Sequence, residues 1–395
     1  MTFRKSIFWL HLIAGLVAGV VILIMSLTGA ALAYEKEVVA WAERDVQHVA
    51  VPADAHRLPV ADLLAQAKAT HPEAKPTSVV IKRDPTAAVA LGLGRSGNLY
   101  ANPYTGEIRT PAPTFWRSFM GIMVSWHRYL ALSGDNQRLG KAVTGACNAA
   151  FLVLGITGLY LWWPRTWSAR ALKGIATVRF GLSGKARDWN WHNAFGLWFA
   201  LPIIILTATA LPISYGWAGQ LIAKLNPSTP TPPAPPAVVS TPAQGTTALS
   251  TEALLESVYR EVPDWKQVTL NLGGPPAGPG APAAAAAPAP RPAGGPAPVS
   301  FSVRERSGWP RTATATLALD PFTGAVLKHD TFGAQPLGNQ VRGWTRYLHT
   351  GEALGPIGQG VAGIASLAGA LLMWTGFALS YRRFFGRLRT PIPAG

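Results

Sequence analysis

LHLIAGLVAGVVILIMSLTGAALAY (residues 10–34) and WHNAFGLWFALPIIILTATALPISY (residues 191–215) decide the fold. Each is long and apolar enough to cross a bilayer as a helix, which takes about 20 residues. A shift of 181 positions lays the first on the second. His11 then meets His192, Gly15 meets Gly196, Leu16 meets Leu197, Thr28 meets Thr209 and Tyr34 meets Tyr215. The first stretch is too long for a secretory signal peptide, and Ala31-Leu-Ala33 is only a faint match to a cleavage site.

Two further apolar stretches follow the same logic. The four expected spans are roughly 10–34, 141–163, 191–222 and 357–381. A shift of 218 lays the fourth on the second. Gly140, Gly145 and Gly158 meet Gly358, Gly363 and Gly376; Thr157 meets Thr375 and Arg165 meets Arg383. The segment before each span matches too, Trp126-x-Arg128-Tyr-Leu130 with Trp344-x-Arg346-Tyr-Leu348. We therefore expect an α-helical membrane protein with four transmembrane helices, built from a duplicated helix–domain–helix module. Such duplications place a shared site between the halves.

Composition agrees. Of 395 residues, 49% are hydrophobic and 14% charged, against about 25% charged in soluble domains. The net charge of +16 is concentrated beside the spans: Arg4 and Lys5, then Arg165, Arg170, Lys173, Arg179, Lys185 and Arg187, then Arg382, Arg383, Arg387 and Arg389, against one acid, Asp188. Positive charge flanks the cytoplasmic ends of spans. Both termini are therefore expected in the cytoplasm, and membrane lipid, not nucleic acid, is the expected partner of these cations. The single cysteine, Cys147, excludes a disulfide framework, cysteine-ligated clusters and covalent c-type haem attachment.

The organisation expected is a first transmembrane helix in 1–34, an outside domain in 35–115, an outer-face helix with the second span in 116–163, a basic cytoplasmic loop in 164–190, the third span in 191–222, a second outside domain in 223–340, and an outer-face segment, fourth span and cytoplasmic tail in 341–395. Each outside domain reads as an amphipathic helix followed by strands. The helices are Val60–Lys68 and Thr251–Tyr259, the latter with Ser250 or Thr251 as N-cap. The strands end in matching turns, Asn102-Pro-Tyr-Thr-Gly106 and Asp320-Pro-Phe-Thr-Gly324. Residues 226–249 are rich in Pro, Thr and Ala, and 273–298 are nearly all Gly, Ala and Pro. Neither stretch carries enough apolar surface to order itself.

Eight histidines are present. His48, His56, His71 and His329 fall in the outside domains and read as solvated. His11 and His192 are equivalent in the repeat and lie at the cytoplasmic ends of their helices. His127 and His349 precede the second and fourth spans on the outer side, four residues out of register, which is about one helical turn. For one histidine, interfacial anchoring or a helix–helix hydrogen bond is the simpler account. Two pairs, one at each membrane face, point instead to a metal cofactor held by two imidazoles from neighbouring helices. We read two non-covalent b-type haems, an inner one on His11 and His192 and an outer one on His127 and His349. Arg128 and Arg346 are candidates for the haem propionates, with headgroup contact an equal account. Gly15, Gly19, Gly29, Gly145, Gly155, Gly158 and Gly363 would leave room for a flat macrocycle or pack helices closely. The Gly92-x-Gly94-x-x-Gly97 stretch resembles a dinucleotide fingerprint but runs into a strand, so a hairpin turn is expected.

Taken in order, Trp126-His-Arg-Tyr-Leu130, Thr157-Gly-Leu-Tyr-Leu-Trp162, Tyr347-Leu-His-Thr-Gly-Glu352 and the two Pro-aromatic-Thr-Gly turns resemble the PepSY-associated transmembrane family of bacterial iron-uptake proteins. The resemblance implies an inner-membrane protein of a Gram-negative bacterium with two small α+β PepSY-like domains in the periplasm. It also implies similarity to haem-containing reductases that release iron from ferric siderophores, with the family's helix-borne histidines falling on His11, His127, His192 and His349. Electrons would come from a cytoplasmic or membrane donor. The alternatives are a haem-free membrane protein whose PepSY-like domains bind or regulate a peptidase or transporter, and a transporter with a third helix broken at Pro202 and Pro212.

Overall fold

The computed structural model describes residues 2–54, 56–164, 168–225, 247–273 and 297–386. Most of the two Pro-rich stretches, 226–246 and 274–296, lies outside them. The helices, in chain order, begin with α1 Phe3–Leu32, α2 Glu35–Ala42, α3 Arg44–Gln47, α4 Val60–Thr70, α5 Phe115–Tyr129 and α6 Gln137–Trp162. They continue with α7 Ala169–Ala176, α8 Gly184–Ser214, α9 Gly216–Ala223, α10 Thr251–Glu261, α11 Leu337–His349 and α12 Pro356–Phe384. The strands are β1 Ser78–Lys82, β2 Val89–Gly92, β3 Asn98–Ala101, β4 Ile108–Arg109, β5 Trp265–Asn271, β6 Val299–Glu305, β7 Ala315–Leu319 and β8 Val326–Asp330. The chain divides into two compact units. One holds residues 1–35, 118–221 and 344–395, the other 36–117 and 222–343.

The first unit is built on α1, α6, α8 and α12. Each is long and apolar enough to span a membrane. They carry 26 to 31 residues, or about 39–46 Å at 1.5 Å per residue, more than the ~30 Å hydrocarbon core. Both α1 and α8 pack on α6 and α12, so they face one another diagonally. Ala18, Ile22, Leu154, Ile203, Ala365, Leu372 and Met373 fill the centre. The outward faces are apolar as well: Val17 is 80% exposed and Ile357 79%. A helix apolar all round, with its outer face bare, belongs in lipid. The protein is a multi-pass membrane protein.

Two details depart from the sequence expectation. The third span starts at Gly184 and ends at Ser214, not 191–222. Helix formation extends past the apolar window into Lys185, Arg187 and Asp188, which hydropathy does not register. At the other end Tyr215 turns extended and α9 begins. The helix also continues unbroken through Pro202, so it offers no unwound segment of the kind that lines transporter sites. Cys147 packs against the central core.

The second unit has a single eight-stranded sheet in the order β4-β3-β2-β1-β5-β6-β7-β8, with every pairing antiparallel. The two outside segments, expected as separate domains, meet where β1 pairs with β5 over five positions, Ser78–Lys82 against Asn271–Gln267. Each four-stranded half would otherwise expose an edge, which invites unwanted pairing. Alternate residues of both halves, among them Val79, Leu91, Val268, Phe301 and Leu317, share one core with Leu63 of α4 and Leu254 and Val258 of α10. The Ser250 hydroxyl caps α10 by accepting from Ala253 N at 3.2 Å, while Glu252 of α10 accepts from Val60 N at the start of α4. The matching turns are confirmed in detail. Asn102 Oδ1 accepts from Tyr104 N (2.9 Å) and Thr105 N (3.3 Å), and Asp320 Oδ1 from Phe322 N (2.8 Å) and Thr323 N (3.2 Å). Gly106 and Gly324 follow at φ +76° and +69°, the left-handed region glycine favours. Gly94 and Gly97, at φ +63° and +95°, form the β2–β3 hairpin, with Leu93 N donating to Gly97 O.

Four spans place both stretches of the second unit on one side of the membrane and α7 on the other. In a Cys147→Ser background, Glu73→Cys and Glu256→Cys should react with a membrane-impermeant maleimide from the same side of oriented vesicles, and Lys173→Cys only from the opposite side. Labelling of Glu73→Cys and Glu256→Cys from different sides would contradict the four-span fold.

Candidate functional site

The four helix-borne histidines form two pairs. His11 on α1 and His192 on α8 have ring centres 6.4 Å apart and planes at 87°. His127 on α5 and His349 on α11 have ring centres 6.3 Å apart and planes at 49°. Each pair bridges the two halves of the repeat.

Hydrogen bonds through Nδ1 fix each ring. His11 Nδ1 lies 2.9 Å from Thr157 Oγ1 and His192 Nδ1 2.9 Å from Thr375 Oγ1. Both hydroxyls already donate to their own helices, to Val153 O at 2.6 Å and Leu371 O at 2.8 Å. They therefore accept from the rings. His127 Nδ1 meets Met25 O at 3.0 Å and His349 Nδ1 meets Leu206 O at 2.9 Å. A carbonyl can only accept, so both rings donate. In all four neutral imidazoles the proton sits on Nδ1 and Nε2 keeps its lone pair.

The partners obey the sequence repeat. Thr157 and Thr375 are 218 residues apart, and Met25 and Leu206 are 181 apart. Thr28 and Thr209, also 181 apart, turn their hydroxyls back onto Ile24 and Met25 and onto Ile205 and Leu206. The register puzzle at His127 and His349 resolves here. α5 starts at Phe115 and α11 at Leu337, a shift of 222 that pairs the two histidines. The four extra residues lie between His127 and Gly140: α5 runs two residues past its histidine, the loop to α6 is one residue longer than that between α11 and α12, and α6 starts one residue further before its matching glycine. Under the same shift Arg128 and Arg346 are not equivalent. Arg128 follows His127, is exposed, and stacks its guanidinium 5.2 Å from the Tyr129 ring centre. Arg346 precedes His349 by three residues and is half-buried.

Glycines allow the rings to lie close to the helices. A Cβ at Gly158 would come within 3.2 Å of His11 Cε1, and one at Gly29 within 3.1 Å of His127 Cε1. Gly376, the repeat mate of Gly158, faces His192 at 3.6 Å. Other small residues serve packing: Gly19 abuts Phe377, Gly145 abuts Tyr215, Gly155 abuts Ile204 and Gly363 abuts Ala33. The Thr-Gly dipeptides at 157–158 and 375–376 are legible as repeat landmarks, yet their role in holding a ring emerges only when the helices pack.

Chemically, 6.3–6.4 Å is too far for an N–H···N bond between the rings, which brings ring centres to about 5.2 Å. It would leave room for a metal ion held by both imidazoles of a pair. Metal–imidazole bonds are about 2.0–2.1 Å, so the ring centres stand about 6.3 Å apart. Among the described residues no group of three or more His, Cys, Asp or Glu is placed to hold a metal ion. The pairs suit a metal whose other ligands belong to a cofactor. Met25 lies 14 residues beyond His11 on α1, and Leu206 14 beyond His192 on α8. The second pair therefore sits about 21 Å further along the bundle.

The remaining histidines are superficial. His71 bonds Thr70 and Thr110, and His329 pairs with Glu261 at 2.8 Å; His48 and His56 are exposed. No curated protein matches the chain. The family model described as PepSY-associated TM region matches residues 8–383, a span that takes in all four paired histidines, and the chain belongs to that family.

Proposed function

We propose that the protein moves electrons across the bacterial inner membrane through two b-type haems and reduces ferric siderophores on the far side. The observation that carries this reading is the ring-centre spacing of 6.3–6.4 Å in both pairs. His11 and His192 would hold one haem, and His127 and His349 the other. Bound there, haem supplies a one-electron couple. The chain's own residues fix the tautomer of each ring through Nδ1, leave Nε2 as the ligand atom, and bury the rings against apolar helix faces. A donated Nδ1 hydrogen bond makes an imidazole more basic and favours the oxidised metal. Iron(II) binds hard oxygen ligands far more weakly than iron(III), so reduction releases it from a siderophore.

Orientation follows from charge. Arg4, Lys5, Lys173, Arg179, Lys185, Arg187, Arg382 and Arg383 cluster at one set of helix ends, supporting cytoplasmic termini. The pair at His11 and His192 then lies on the inner side, facing a cytoplasmic or membrane electron donor. The second unit, reached from the opposite ends of α1 and α8, would be periplasmic, its two four-stranded halves being the PepSY-like domains of a duplicated module.

Detergent-purified protein, oxidised and then reduced with dithionite, should show a sharp b-type α-band and about two haems per chain by pyridine haemochrome. His127→Ala with His349→Ala should remove about one haem and abolish ferric-siderophore reduction, and His11→Ala with His192→Ala should remove the other. Colourless wild-type protein, expressed with ample haem, would sink this reading in favour of a haem-free binding or regulatory role.

Thr157→Val and Thr375→Val test the orienting bonds. Removing such a partner typically costs 10–100-fold in metal affinity or activity. The inner haem's midpoint potential should rise while the outer one stays put in a redox titration. Equal shifts in both would show that the hydroxyls do not act through His11 and His192.

A further inference from the structure

The face of the sheet turned away from α4 and α10 differs between its halves. Across β2 and β3 it is covered, Ala90 and Tyr100 packing with Val46, Val49 and Tyr104. Across β5, β6 and β7 it presents polar side chains in rows. Strand register aligns Lys82, Gln267 and Arg304 on three adjacent strands. The neighbouring row is Thr269, Ser302 and Thr316. Their neighbours in sequence, Ile81, Val268, Val303 and Leu317, lie in the core, so strand alternation puts all six on the opposite face. Five are half-buried and Lys82 is exposed.

Of the cations of this face, Lys82 lies near the Asp84 carboxylate, which the Thr86 hydroxyl and amide and, less, the charge of Lys82 hold below the usual range, whereas Arg304 has no such neighbour among the described residues. Neither Lys82 nor Arg304 forms an ion pair among the described residues. Asp84 accepts from the Thr86 amide and hydroxyl and Asp264 from those of Ser307, both carboxylates keeping their charge, and Asp330, at the end of the hydroxyl row, pairs with Lys328. Residues 226–246 and 274–296 contain no Asp or Glu. Of the buried side-chain polar atoms without a partner among the described residues, Arg304 Nε and Thr312 Oγ1 both belong to the β6–β7 hairpin. Leaving such atoms unpaired is unfavourable. Positive charge beside spans is explained by topology, but charge on this sheet is not.

We propose that this face binds a small oxygen-rich anion of the polycarboxylate class, in the form of its iron(III) chelate. Strands are spaced about 4.8 Å apart, so Lys82 and Arg304 stand about 10 Å apart at the backbone, with the Gln267 amide between them and hydroxyls beside them. That spread suits several carboxylates on one compact ligand. A guanidinium takes a carboxylate through two parallel N–H···O bonds. The inference deepens the reductase reading by naming a substrate class, and it rests on that reading only for the metal.

Gallium(III)–citrate, which carries the same charge but does not undergo reduction, tests it by calorimetric titration of the full chain in phosphatidylcholine nanodiscs. Arg304→Gln and Lys82→Gln should each weaken binding about tenfold, and Lys68→Gln, on the outer side of α4, should leave it unchanged. The His127→Ala, His349→Ala double variant should still bind, which separates this site from the haem reading. Wild-type protein that carries its haems but ignores gallium–citrate would overturn the inference and leave the reductase standing. Undiminished binding by both charge variants would overturn it as well, as would binding confined to phosphatidylglycerol vesicles.

Discussion

An imidazole inside a helix bundle must find partners for two nitrogens, and here the protein supplies one. Each paired ring gives its Nδ1 proton to the facing helix: to a threonine hydroxyl near one end of the bundle, to a backbone carbonyl near the other. The acceptors are unusual because helix carbonyls are normally spent on the i+4 amide. Met25 and Leu206 carbonyls use a second lone pair, and threonines at 28 and 209 crowd the same carbonyls. Once Nδ1 is committed, Nε2 of each half-buried ring keeps a lone pair able to meet an electrophile. The bundle's diagonal geometry, with α1 opposite α8, brings the ring centres of His11 and His192 within 6.4 Å of one another, and α5 and α11 do the same for His127 and His349 at 6.3 Å.

This constraint reaches into the packing. A ring held against a helix needs a missing side chain beneath it, hence Gly158 under His11 and Gly29 under His127. The histidines of the second pair come from α5 and α11, which precede the spans, so their depth is set by loop length as well as helix register. The four extra residues between His127 and Gly140 are absorbed by a longer end of α5, the loop and the start of α6, with Leu130 and Ala131 in positive φ, and both rings still reach carbonyls related by the 181-residue repeat.

The spans and the repeat were legible in the sequence because each rests on long apolar runs and recurrent landmarks. So were the four histidines and the Asn102 and Asp320 turns, whose chemistry is local. Three things were not. Hydropathy does not see helix beyond the lipid, so α8 begins seven residues earlier than its apolar window. Strand alternation specifies a buried face but not a neighbour, so the pairing of β1 with β5 into one sheet left no local mark. An ungapped shift aligned Arg128 with Arg346, and only the helix starts show that those arginines occupy different positions.

The two halves also show which contacts the site requires and which merely hold helices together. Beyond the inner pair, α8 and α12 are clamped by Asp188, whose side chain is fully buried between Arg187 and Arg382. Asp188 lies one turn before His192, and Arg382 two turns after Thr375. In the other half the 181-residue shift puts the apolar Ile7 in the place of Asp188, so no such ion pair can form there. α1 is tied to α6 by Arg4 instead, which donates to the carbonyls of Leu161 at 2.6 Å and Trp163 at 3.4 Å. One clamp is a buried ion pair and the other caps a helix end, two different solutions to the same mechanical task. The ring contacts diverged less, although Thr28 Oγ1 lies 3.1 Å from His127 Nδ1 and the repeat mate of Gly29 is Ala210. Thr157 and Thr375, Gly158 and Gly376, and the carbonyls of Met25 and Leu206 remain matched across the repeat. Helix pairing tolerates substitution of one chemistry for another, whereas aiming an imidazole nitrogen does not, because the acceptor's position sets the ring's angle. The matched acceptors at these four histidines are what the proposed ligand role would require.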